Sequence, residues 1–131
     1  MVEVLKKEML MSFDEAAEHV NKTVQEEGFS VLLVKSIDEI FKKKLGIIDQ
    51  PKYTTILACG SELTKMSLEA HYNVGLLFPC SFVVYEEGDK VIDSHTSLMK
   101  IARDVGLASA EAMVPVVEKI GKLVEMIWKK L

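Results

Sequence analysis

Apolar residues in this chain fall into two kinds of pattern, and the patterns alternate. Phe13, Ala16, Ala17, Val20 and Val24 recur three and four residues apart, the spacing of one face of a helix. Ser12 and Glu15 stand before them as a capping box, and Gly28 follows as a left-handed stop. The pattern predicts a helix over 12–27. Ile37, Ile40, Phe41 and Leu45 repeat the spacing behind a second box, Ser36 to Glu39, with Gly46 as the stop. That box also accounts for Asp38 and Glu39. Ser61 caps a third, short helix to about Ala70. Between these lie β-branched or aromatic runs of strand length: Phe29–Val34, Tyr53–Cys59 and Ser81–Tyr85. Val2 to Met9 begins with strand-like alternation. Glu87-Gly88-Asp89 turns the chain back into Lys90–Asp93 as a hairpin. The apolar segment 71–79 is irregular. From Thr96 the chain is helical, broken at Gly106, and Met113, Val116, Val117, Ile120, Val124 and Ile127 form a long stripe. Pro115 fits only near the start of that helix or at a kink.

The element order is βα, βα, βα, ββ, αα. Strands joined by helices favour crossovers and parallel pairs, while the hairpin adds an antiparallel pair. The expectation is an α+β fold, with a mixed sheet of about five strands and helices on at least one face. The 131 residues fit a single domain, with an α+β body over 1–95 and a helical segment over 96–131. The last helix is apolar over a wider arc than a helix covering a sheet needs, which predicts either a dimer contact or burial within the chain.

Composition narrows the function classes. Half the residues are apolar (49%), too many for a disordered chain, and no run is long enough to span a membrane. Glu3, Lys6, Lys7 and Glu8 make Met1–Met11 unlike a signal peptide. These features predict a cytoplasmic protein. The net charge is −4, and Arg103 is the single arginine beside fifteen lysines, so neither nucleic acid nor an anionic membrane is an expected partner. High Lys and Glu with few Asn and Gln is a thermophile-like composition.

Chemistry-bearing residues are sparse. Cys59 precedes a helix N-terminus, where a thiolate is stabilised, although free Cys more often packs as a small hydrophobe. Cys80 opens a strand behind Pro79. In a parallel crossover the two thiols sit at opposite sheet edges, roughly 20 Å apart, and only an antiparallel arrangement or a dimer brings them together. His71 flanks the apolar loop, His95 follows the hairpin, and His19 falls on the solvent side of the first helix. Two Cys and three scattered His have no zinc spacing, so no metal and no cofactor is expected. Gly75 permits close backbone approach to a ligand, though tight turning explains it better.

An ordered set of short motifs remains. Glu27-Gly28-Phe29, Ile37-Asp38, Leu45-Gly46, Pro51-Lys52-Tyr53, Ile56 to Cys59, Gly75-Leu76-Leu77-Phe78-Pro79-Cys80 and Val83 to Glu86 run through residues 10–93. In this the chain resembles the family called domain of unknown function 302. That family usually carries Cys-Asn-Pro where this chain has Cys59-Gly60-Ser61. The resemblance implies a small α+β fold, commonly homodimeric, with no established activity or catalytic residues.

The reading that follows is a homodimeric module binding a small molecule or anion, its pocket near Cys59, Gly60, Ser61, His71, Gly75 and Cys80. Two alternatives stand beside it. One is a thiol-dependent enzyme, or a redox or soft-metal-binding protein, using Cys59 or Cys80. The other is a structural protein-interaction module docking through its C-terminal helix.

Overall fold

The structure, a computed structural model, describes residues 2–131. Its elements are β1 (Leu5–Met9), α1 (Phe13–Glu26), β2 (Ser30–Ser36), α2 (Ile37–Leu45), β3 (Tyr53–Cys59), α3 (Ser61–Ala70), a 3-10 segment (Tyr72–Leu77), β4 (Cys80–Glu87), β5 (Lys90–His95), α4 (Leu98–Asp104) and α5 (Ala110–Lys130). The fold class is α+β, with one five-stranded sheet in the order β1-β5-β4-β3-β2.

Local signals explain most boundaries. Ser12 Oγ accepts from the Glu15 N–H at 3.2 Å and starts α1. Beyond the Glu27 cap, Gly28 takes φ +94°. There its N–H donates to the Gln25 carbonyl and the Phe29 N–H to the Val24 carbonyl. These two bonds are a complete Schellman motif, sealed by Val24 and Phe29 in the core. The second capping box is different. Ser36 makes no side-chain cap bond. Asp38 Oδ1 instead accepts from the Tyr53 N–H at 2.9 Å, tying α2 to the start of β3.

The expected mixed sheet is corrected: all four strand pairs are antiparallel. The reason is the number of legs in each connection. A single helix carries the chain to the far end of the next strand and makes it parallel. After β3, α3 and the 3-10 segment pack on one another as two legs, out and back. The chain therefore re-enters β4 at the end it left. Likewise α2 leads out and the loop 46–52 leads back. Only α1 is a single leg, so β1 and β2 do run the same way, but at opposite edges of the sheet.

Helices α1, α3, α4 and α5 share one core with one face of the sheet, contributed by Met9, Ile56, Ala58, Phe82 and Val84. Most of the wide apolar arc of α5 is used inside the chain, while Val114 and Met126 stay exposed. Met113, Val116, Ile120, Val124 and Ile127 are buried, and Val117, Leu123 and Trp128 pack at their margins. Its dimer role is therefore not needed to explain the width. On the opposite sheet face, Tyr53, Leu57, Val83, Tyr85 and Ile92 lie outside that core. No residue of α2 is buried.

Candidate functional site

The residues singled out from sequence separate in space. Gly60 caps α3 in an extended conformation and Ser61 begins it, without a side-chain cap bond. Both line a hollow of about 130 Å³ with Gly28, Phe29, Leu63 and Lys119. His71 and Gly75 do not line that hollow. His71 is exposed, and its Nδ1 accepts from the Asn73 N–H at 3.0 Å, capping the 3-10 segment. At Gly75 a Cβ would touch the end of the Leu68 side chain of α3 at 3.4 Å. His19 is half-buried, and its Nε2 contacts the Lys130 carbonyl at 3.0 Å rather than solvent alone.

The antiparallel β3–β4 pair removes the separation that parallel strands impose on the cysteines. Cys80 lies opposite Ala58, one residue from Cys59. Side chains alternate along a strand, so the two thiols sit close in the ladder but on opposite faces. Both are free. Cys80 is buried, and desolvation, helped by the nearby Cys59, pushes its thiol up to about 12. A thiol so placed is not ionised at neutral pH and is a poor nucleophile.

A larger cavity, of about 300 Å³, lies elsewhere, between the β1–β5 edge of the sheet and helices α4 and α5. Leu5, Ile120, Val124 and Trp128 form its apolar walls, with Ser97 and Gly121 beside them. Glu3, Lys100 and Glu125 stand at its rim, with exposed side chains. Lys100 Nζ and Glu3 Oε2 are 3.7 Å apart there. The Lys7 ammonium donates to the Trp128 carbonyl at 3.0 Å and fastens the end of α5 over β1.

His95, at the end of β5, also lines this cavity and is 3% exposed. Its ring lies over Phe82, with centroids 4.2 Å apart and planes within 10°. Nδ1 is 2.8 Å from the Ser81 carbonyl oxygen. A carbonyl only accepts, so Nδ1 carries the proton and Nε2 the lone pair. Burial pulls the His95 pKa down, and the bond to Ser81 opposes that less strongly. The ring is neutral at pH 7. Among the described residues Nε2 has no hydrogen-bond partner.

Two positions back on β5, Asp93 is fully buried on the same sheet face. Neither of its oxygens has a hydrogen-bond partner among the described residues. Desolvation raises its pKa to about 7, against the weaker pull of the nearby Ser94 backbone N–H and the charge of Lys7. Lys7 faces it directly across the β1–β5 pair.

The sequence reading ended the hairpin strand at Asp93 and placed His95 beyond it. The missed signal was the alternation Val91, Asp93, His95, which continues the strand and puts all three on one face. A second signal was Gly121. Glycine costs a helix interior about 1 kcal/mol relative to alanine. A Cβ at Gly121 would meet nothing within 4 Å, so close packing does not require the glycine. What its missing side chain leaves is space at the cavity.

Among the described residues, no three His, Cys, Asp or Glu side chains converge to hold a metal ion. No helix is long and apolar enough to cross a membrane. No curated protein matches the chain. A crystal structure of an uncharacterized conserved protein DUF302 from Bacillus stearothermophilus superposes with a TM-score of 0.84. It is 19% identical and the match covers 97% of this chain and 96% of that one, a likeness of fold. The family model described as domain of unknown function DUF302 matches residues 5–128, which include every strand of the sheet and all of the cavity's lining except Glu3. The chain belongs to the DUF302 family.

Proposed function

We propose that this protein is a homodimeric module that binds a small molecule in the cavity between β1, β5, α4 and α5. The observation that carries the reading is the apolar cavity itself, about 300 Å³ in volume and walled by Leu5, Ile120, Val124 and Trp128. The volume is at the small end of the range for ligand pockets, and apolar walls with few polar groups are their usual lining. Gly121 supports the reading, since the helix tolerates its cost where a side chain would fill the space.

The dimer is supported by where apolar surface is left over. Of fifteen exposed large hydrophobic residues described, seven lie between Leu32 and Ile48, on the edge strand β2, on α2 and just after it. Monomers rarely expose large contiguous apolar surface, and a two-fold axis makes one patch self-complementary.

Calorimetric titration with toluene, p-cresol and naphthalene tests the cavity. Trp128, the single tryptophan, lines it and reports entry by its emission. The expected result is saturable binding to the parent protein and its loss in Gly121→Leu, while Gly121→Ala folds and gains about 0.5–1 kcal/mol. Binding undiminished in Gly121→Leu would place the ligand elsewhere, for example in the Gly60–Ser61 hollow. No binding by any probe removes the reading.

A further inference from the structure

Lys7 and Asp93 are direct neighbours across the β1–β5 pair. Residues opposite one another in an antiparallel ladder have Cβ atoms about 4.5–5.5 Å apart, well within the length of a lysine side chain. Both lie on the sheet face that Met9, Phe82 and Val84 give to the core. Yet the two side chains are not bonded. Asp93 is buried with neither oxygen paired, while Lys7 Nζ donates to the Trp128 carbonyl at 3.0 Å. Trp128 stands in the last turn of α5, where carbonyls lack partners within the helix. Lys7 is thus a strap from β1 to the end of α5, with a second acceptor beside it.

The charge on Asp93 decides between the two acceptors. A neutral carboxyl competes weakly with a carbonyl at the negative end of a helix dipole. A carboxylate that is buried and unpaired is strongly disfavoured, and a neighbouring cation must neutralise it. The other titratable and charged groups around Asp93 are engaged elsewhere. His95 on β5 is neutral, with its proton on the Ser81 carbonyl. β4 places Val84 opposite Asp93, and the Oε1 of Glu86, two residues on, accepts from the Lys52 N–H at 2.9 Å. On the side of α1, His19 contacts the Lys130 carbonyl and Glu27 pairs with the Lys130 ammonium. Asp14, Glu15, Glu18, Lys22 and Glu26 of α1 are exposed. Near the end of α5, Glu125 and Lys129 pair with each other.

We propose that Lys7 is a pH-sensitive strap: it holds the last turn of α5 through the Trp128 carbonyl while Asp93 is protonated, and moves to Asp93, freeing that carbonyl, when Asp93 ionises. Burial places the Asp93 pKa at about 7, so the exchange falls near neutral pH, with the strap on Trp128 below it and on Asp93 above. The ties of Lys130 to His19 and Glu27 stay in place. The release is therefore confined to the β1 side of α5, where Leu5 and Trp128 wall the cavity. Nothing in this device requires that the cavity hold a ligand.

Amide exchange of Ile127 to Lys130 in the full-length protein, corrected for the intrinsic effect of pH on exchange, tests the strap on either side of pH 7. Protection of this turn is expected to fall roughly tenfold on the alkaline side, the worth of one charge-assisted hydrogen bond. Asp93→Asn keeps the strap on Trp128 and the protection high at both pH values. Lys7→Met removes the strap and leaves the protection low at both. Carbon NMR of the Asp93 carboxyl in the parent protein follows the ionisation itself and needs no variant. A carboxyl that titrates while the protection of the turn stays constant overturns the proposal, and so does a carboxyl that never titrates in this range. A pH response that survives in Asp93→Asn assigns the effect to His19 or His95 instead, and one that survives in Lys7→Met shows that the strap is not its carrier.

Discussion

Asp93 and His95 sit two residues apart on one face of β5, and burial moves their pKa values in opposite directions. For Asp93 the folded value of about 7 lies above the ordinary 3.8. Between those values the unfolded chain releases a proton that the folded one keeps. Its contribution is fully present below pH 3.8 and is lost as pH rises through 7. Three units correspond to on the order of 4 kcal/mol. His95 acts with the opposite sign. Its folded value lies below 6.5, so its contribution is present above that pH and lost as pH falls through the lowered value. Asp93→Asn removes the first effect alone. The variant is expected to be more stable than the parent at pH 8 by about 1–3 kcal/mol, and to lose most of the decline between pH 4 and 7. Urea unfolding across that range checks it, and an unchanged pH slope would show that Asp93 is not the group responsible.

At the scale of the element, α1 and α2 contrast two outcomes of similar sequence signals. Both open on a Ser-x-x-Glu box and both close on a left-handed glycine. In α1 the box is half used, through Ser12, and the apolar face meets the sheet. In α2 the serine caps nothing with its side chain and the apolar face is only partly covered: Ile37 and Phe41 are half-buried, while Ile40 and Leu45 are exposed. Gly28 shows what the α1 stop is worth. A Cβ there would touch no atom within 4 Å, so a substitution costs backbone strain alone. Gly28→Val is expected to destabilise by about 2–3 kcal/mol, since a β-branched residue strongly resists positive φ. Thermal or urea unfolding measures it. A loss below half a kcal/mol, the usual bound for neutral surface changes, would mean that the Schellman geometry is not retained or not needed.

For the whole molecule the unresolved balance is between covered and uncovered apolar surface. One sheet face and four helices make a closed core, and α5 contributes most of its apolar arc to it. The other face has Tyr53 and Tyr85 stacked at 5.7 Å on neighbouring strands, with Leu57, Val83 and Ile92 on the same face. Charged residues of that face, such as Lys6 and Glu8 on β1 and Lys35 on β2, fall on the edge strands, the arrangement of an apolar centre within a polar rim. Leu33→Glu combined with Ile40→Glu is therefore expected to give a folded monomer by light scattering, with an unchanged Trp128 environment. By contrast, Val124→Glu in α5 is expected to unfold the chain, because Val124 is 6% exposed within the core. A parent protein that is already monomeric, or a double variant that stays dimeric, would remove β2 and α2 as the interface.

The sequence by itself determined what depends on neighbours along the chain. The helix over Phe13–Glu26, its Ser12 cap, the left-handed Gly28, the strand Tyr53–Cys59, the hairpin at Gly88-Asp89 and the buried stripe of α5 all follow from periodicity and cap chemistry. The family was legible too, in the ordered motifs from Glu27 to Glu86. Strand direction was not, because it depends on whether a connection makes one leg or two, and a helical pattern looks the same in either. The site depended on tertiary structure for a similar reason. His95, Leu5 and Trp128 are far apart in sequence, and no local spacing joins them. Only the β1–β5 pairing and the lay of α5 bring them to one cavity. The unpaired state of Nε2 is a property of what surrounds it in space, and Ser81, which fixes the proton on the other nitrogen, reaches His95 only because β4 and β5 fold back on each other.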